Sequence, residues 1–174
     1  GTVIEVGCWA HARRKFVDAE KTSPREAHEA VARIKQLYAI EHEAKAFDAA
    51  ARRALRQEKS VPLLAALQTW LDQLAPTALP KSPLGEAVTY ARNQWSALNV
   101  YITDGRLAID NNAAERAVKP YAIGRKNWLF FGNDHSGRRL AILSSFTATC
   151  QQCSVNPWTW LKETLIRLPT TPAD

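Results

Sequence analysis

The chain has 174 residues, 46% of them hydrophobic, and its 23 Lys and Arg against 17 Asp and Glu give a formal charge of +6. That is enough chain for one ordinary domain with a real core, and the charge favours anionic partners without specifying fold or mechanism. No run of about eighteen apolar residues occurs, and no charged start leads into an apolar stretch with a cleavage site, so neither a membrane span nor export is expected. The cytoplasm is the default compartment. No methionine occurs, so the chain is expected to be a piece of a longer protein.

TVIEVGC, Thr2 to Cys8, is short, β-branched and apolar, and predicts a buried strand. Trp9, Ala12, Phe16 and Ala19 then recur at helical spacing, with His11, Arg14, Lys15 and Asp18 on the other side. A strand feeding an amphipathic helix fits an α/β layer. SPRE, Ser23 to Glu26, predicts a helix start with Ser23 as N-cap, Pro24 in the first turn and Glu26 closing a capping box. The helix is expected to run through Ile34, Leu37, Tyr38, Phe47, Ala51 and Leu55 to about Lys59. Ser60 and Pro62 restart a second helix through Leu64, Leu67, Trp70, Leu71 and Leu74.

Pro76, Pro80 and Pro83 break that pattern, and Ser82-Pro83 opens a further helix with Leu84, Val88, Ala91, Trp95 and Leu98 on one stripe. Asp104-Gly105 marks a turn, flanked by NVYIT and RLAI as strands of a small hairpin or a frayed helix end. IDNNAAERAVKP starts another helix, and KNWLFFG, Lys126 to Gly132, predicts a short buried strand whose Trp128, Phe130 and Phe131 pack inward. After a turn-rich loop, Leu140, Leu143, Phe146 and Cys150 lie at helical spacing. Asn156-Pro157 caps a last helix through Trp158, Leu161, Leu165 and Leu168.

Chemistry concentrates around Glu115. Locally, Asn112 as N-cap and Glu115 at the third helical position satisfy the capping-box pattern, and Lys119 at i+4 adds a surface ion pair worth some tenths of a kcal/mol. Yet Asp110, Asn111, Asn112 and Glu115 also crowd oxygen ligands of the kind Mg²⁺ or Mn²⁺ prefers. From Arg116 to Arg139 the cations Arg116, Lys119, Arg125, Lys126, Arg138 and Arg139 face the lone acid Asp134 with aromatic residues interleaved, a phosphate-attracting composition. His11 with Arg13, Arg14 and Lys15 is a second basic group, which on local grounds reads as a solvated helix face with His11 capping or packing locally. Cys8-x-x-His11 and Cys150-x-x-Cys153 have zinc-ligand types and spacing, but buried thiols explain them better, and zinc is not expected.

GCWAHARRKF, then DNNAAERAVKP, then GRKNWLFFGNDHSGRRLAILSSFTATCQQCSVNPWTWL, in that order around a helical spacer, resemble the C-terminal half of the insertion sequence 66 family of bacterial DDE transposases. The resemblance is weakest between Arg25 and Pro83 and beyond Leu168. It implies an α+β, predominantly helical fold: a partial ribonuclease H-like core interrupted by an all-α insertion. On that plan residues 1–17 are core strand and helix, 18–100 the insertion, 101–153 the return to the core with the glutamate helix, and 154–174 a helical tail.

The resemblance places the family's catalytic, metal-binding glutamate on Glu115. There it would join two aspartates in ligating Mg²⁺ or Mn²⁺, to cut a strand at the transposon end and join the new 3′-hydroxyl to target DNA. Those aspartates lie ahead of GCWAHARRKF in the family, and neither Asp18, Asp104 nor Asp110 matches them, so this stretch alone is expected not to cut DNA. The partners implied are transposon-end and target DNA, in a homo-oligomeric complex, in the bacterial cytoplasm. The DNA-binding candidates are His11, Arg13, Arg14, Arg116, Lys119, Arg125 and Lys126. Many DDE enzymes carry Lys or Arg seven residues after the glutamate, where this chain has Ala122. The alternative is a catalytically inactive remnant that binds DNA or a partner.

Overall fold

Trp9, Ala12, Phe16 and Ala19 are each at most 1% exposed, so the spacing that predicted an amphipathic helix also set the face it buries. They lie on or just after α1 (Trp9–Asp18) in a computed structural model that describes residues 3–128 and 132–171. The chain divides into a first unit, Gly1–Ala113, and a second, Ala114–Asp174.

In the first unit α1 packs on α2 (Pro24–Glu43) and α5 (Pro83–Asn93), while α4 (Val61–Leu74) packs on α2 and α5. One core joins Trp9 and Phe16 to Ile34 and Leu37 of α2, Leu67 and Leu71 of α4, and Val88 of α5. Trp9 anchors it twice. Its indole N–H donates to the Leu98 carbonyl at 2.9 Å, and its ring meets Trp95 edge-on at 5.9 Å between centroids. A buried indole thus keeps its one donor satisfied while filling the core.

The long helix expected to reach Lys59 is interrupted. α2 tightens into a 3₁₀ turn at Ala44–Ala46, Phe47 is extended, and Asp48 accepts the Ala51 N–H at 2.8 Å to cap α3 (Ala49–Leu55). A carboxylate that can bond the orphan N–H of a new first turn competes with helix continuation. α3 then runs through a π-helical turn, Arg56–Ser60, directly into α4, so Ser60 does not restart a helix. Ser23 precedes α2 without accepting a cap bond, and its own N–H donates to Ala19, so the predicted capping box is not built. Ser82 does cap α5, accepting from Gly85 N at 3.0 Å. The stripe continuing to Leu98 breaks at Gln94, and α6 (Trp95–Asn99) completes it.

The α+β expectation is corrected: among the described residues the chain is helical, with no strand. Residues 3–8 form no regular element, Cys8 at their end is extended, and Val3 and Ile4 are 94% and 71% exposed. Gly7 N–H donates to Ala97 O at 2.8 Å, tying this segment's backbone to α6. Apolar, β-branched composition favours extended backbone, but only a paired neighbour makes it a strand. NVYIT closes as a 3₁₀ turn, Val100–Thr103, and RLAI is irregular, so the hairpin reading is also corrected. The Asp104-Gly105 turn does form, and it passes so close to α3 that a β-carbon at Gly105 would sit 1.9 Å from the Ala49 carbonyl oxygen.

The second unit holds most of α7 (Asn112–Trp128), with α8 (Asp134–Gln152) and α9 (Pro157–Arg167). Lys126, Asn127 and Trp128 belong to α7, which corrects the start of the predicted KNWLFFG strand; Leu129, Phe130, Phe131 and the Trp128 side chain lie outside the described residues. Asn133 and Asn156 cap α8 and α9 through their side-chain oxygens. Cys150 is buried, and Phe146 stacks on Trp160 at 4.9 Å. Val118, Ile142, Leu143, Trp158 and Leu165 are exposed.

Candidate functional site

The segment that leads into the Glu115 helix is held by side chains from the preceding helices. Arg56, 1% exposed, grips the Glu41 carboxylate with two nitrogens at 2.8 and 2.6 Å. Its remaining donors reach the carbonyls of Tyr101 at 2.7 Å, Asp104 at 3.0 Å and Leu107 at 2.9 Å, and its guanidinium lies over the Tyr101 ring. A planar fork with five donors suits this role, because each buried carbonyl it satisfies would otherwise lose its bond to water. Further along, the Trp9 N–H donates to the Ile109 carbonyl at 3.2 Å.

Asp110 finishes the approach. Its Oδ1 accepts the Asn112 backbone N–H at 3.1 Å, and its Oδ2 accepts the Asn112 side-chain amide at 2.8 Å and the Tyr38 hydroxyl at 2.9 Å. Asn112 is thus the first residue of α7 and a donor to Asp110, rather than the accepting cap its spacing suggested. Burial, reinforced by the bond to Asp110, pushes the Tyr38 hydroxyl far above its ordinary range, so it stays a donor. Glu115 lies exposed in the first turn of α7, where the helix dipole favours a carboxylate.

Among the other candidates, His11 is half-buried on α1, while Arg13 and Arg14 are exposed. Arg13 and Arg14 come together with Lys35 of α2 along a groove of about 620 Å³ that also takes in Tyr38 and Asn112. Arg116, Lys119, Arg125 and Lys126 are exposed on α7. At about 100° per residue, Glu115, Lys119, Ala122 and Lys126 share one face, with Arg116 and Arg125 to either side. Pro120 inside α7 removes the bond that residue 120 would donate to the Arg116 carbonyl. Lys35, Tyr38, Asp110 as helix anchor, and Arg56 carry no signal at motif level, because their partners are 48 to 72 residues away in the case of Arg56–Asp104 and Tyr38–Asp110.

A family model described as Transposase IS66 family matches residues 1–139. The chain belongs to that family. It is also 40% identical over 169 residues to the uncharacterized protein y4qI of Sinorhizobium fredii (strain NBRC 101917 / NGR234), covering 96% of this chain and 31% of that protein. The uncharacterized protein y4hP of the same organism is 34% identical over 95% of the chain and 32% of its own length. The chain therefore spans about a third of the length of the curated relatives it matches. No solved structure matches it significantly.

The IS66 family match takes in α1, the helical first unit, all of α7 and the start of α8, so both basic groups and Glu115 fall within it. Membership brings the expectation of divalent metal, and the donors tell how far this chain meets it. Among the described residues no group of three or more His, Cys, Asp or Glu could hold an ion. Both Asp110 oxygens already accept bonds from Tyr38 and Asn112. Cys8 and Cys150 are buried and Cys153 is exposed, all as free thiols. No helix among the described residues is long and apolar enough to cross a membrane.

Proposed function

We propose that this chain is the glutamate-bearing part of an insertion-sequence transposase that cuts DNA at transposon ends and transfers the cut strand to target DNA. The observation that carries the reading is the family match through residue 139, which includes DNNAAERAVKP on the first turns of α7. Glu115 is the third acid of a DDE triad. Its two aspartate partners come from a part of the protein outside these 174 residues, in keeping with relatives about three times as long.

Among the described residues no three His, Cys, Asp or Glu come together to hold an ion, and what these residues supply is placement. Arg56 and Asp110 hold the segment from residue 101 to the start of α7, and Glu115 follows on a helix that begins at a fixed point. His11, Arg13 and Arg14 on α1, and Arg116, Lys119, Arg125 and Lys126 on α7, contact phosphates. The α-helical spacer, residues 18–100, is the insertion of a ribonuclease H-like core, and residues 3–8, of which 3–6 are exposed, supply a strand to it when neighbouring strands are present. The working enzyme is a homo-oligomer on DNA in the bacterial cytoplasm.

The test uses the longer protein that carries this chain, with a duplex bearing its transposon end. Cleavage at the end in Mg²⁺ or Mn²⁺, abolished by a chelator, is expected. Binding of the end without cleavage in either metal would instead favour the binding remnant.

A further inference from the structure

Some surface cations of the first unit are held in ion pairs. Arg33 pairs with Glu29, Lys59 with Glu43, Arg92 with Asp72 and Arg106 with Asp104. Arg13, Arg14 and Lys35, exposed and without an ion pair among the described residues, are set apart by converging on one groove between α1 and α2. No carboxylate lines that groove. Three cations gathered from two helices repel one another, and an anion between them is what would offset that repulsion.

We propose that this groove is a seat for the sugar-phosphate backbone of duplex DNA, with Lys35 acting beside Arg13 and Arg14. The inference rests on reading the chain as DNA-handling and deepens it by assigning a contact surface. The apolar side of the groove, Val17, Val31 and the Tyr38 ring, suits the deoxyribose between two phosphates. Its polar remainder is the Asn112 amide, at the start of the helix that carries Glu115. Tyr38 is the only ring in the lining, and its hydroxyl is tied to Asp110, so no track of aromatic faces exists here to stack unpaired bases. Cations with sugar-sized apolar surface and no base-reading set mean contact with backbone, independent of sequence.

The test is fluorescence anisotropy of the 174-residue chain with a labelled duplex of arbitrary sequence, across a salt series. Lys35→Glu is expected to weaken binding about tenfold at low salt, and to reduce the slope of log affinity against log salt by about one, because one phosphate contact is lost. Lys35→Gln should act in the same direction, more weakly. Lys81→Glu, which changes an exposed cation outside the groove by the same charge, should lose clearly less. Unfolding curves for each variant separate lost binding from lost fold.

Equal losses for Lys35→Glu and Lys81→Glu would overturn the seat, as would a wild-type chain that binds no duplex at low salt. Tighter binding of the corresponding RNA duplex would overturn the assignment to DNA. The transposase reading fails separately: it is judged by end cleavage in the longer protein, and cleavage that survives in a chain whose groove variants bind normally removes the seat alone.

Discussion

Arg56 is the residue on which the first unit's interior turns. It bonds α2 through Glu41 and the turn region through three carbonyls, so removing it strands a largely buried carboxylate as well as those acceptors. Arg56→Met is expected to destabilise the chain by about 3–5 kcal/mol, the range for breaking one side of a buried pair, measured by urea unfolding. Beneath it, Tyr101 is fully buried, with its hydroxyl beside that of Ser60. Burial pushes Tyr101 up to about 12. The folded chain therefore holds this proton more tightly than the unfolded chain, whose value is near 10. Its contribution is complete below about pH 10 and is lost as pH rises toward 12. Tyr101→Phe should leave stability at neutral pH nearly unchanged and flatten part of the alkaline loss in a pH series of thermal melts, the remainder belonging to Tyr38 and Tyr90.

At the scale of elements, caps decided where helices begin, and their legibility was uneven. Ser82 and Asn156 sit before a proline and an apolar stripe, the sequence pattern that a capping argument recognises, and both accept the expected bonds. Ser23 has the same pattern, but its N–H is taken by Ala19 and its side chain caps nothing. Asp48 and Asp110 were not legible as caps: one interrupts an apolar repeat that continues through it, and the other acts from two residues ahead of α7 with Tyr38 as a distant partner. Asp48→Ala and Ser82→Ala should each cost about 1 kcal/mol in denaturant unfolding, and Ser23→Ala distinctly less. A full cap-sized loss at Ser23 would contradict the assignment of α2's start.

At the scale of the whole molecule, period-3.6 patterning made the helical first unit readable, because its stripes end on a shared core of Trp9, Phe16, Ile34, Leu71 and Val88. Period-2 and composition arguments did worse. Residues 3–8 and the segments flanking Asp104 have strand-like composition, yet a strand is a relation to a neighbour that composition does not contain. The candidate site divided the same way. Glu115, Arg13 and Arg14 stood out by motif, and the groove partner Lys35, the Asp110 anchor and the Arg56 brace became visible only when distant helices were packed together. The family match and the exposed position of Glu115 on the first turn of α7 leave its role as the defining claim. The direct measurement is end cleavage and end binding by the longer protein carrying Glu115→Gln, an exchange that keeps size and removes the charge. Cleavage reduced by at least about a hundredfold with end binding retained is the predicted result, and cleavage at the wild-type rate would contradict it.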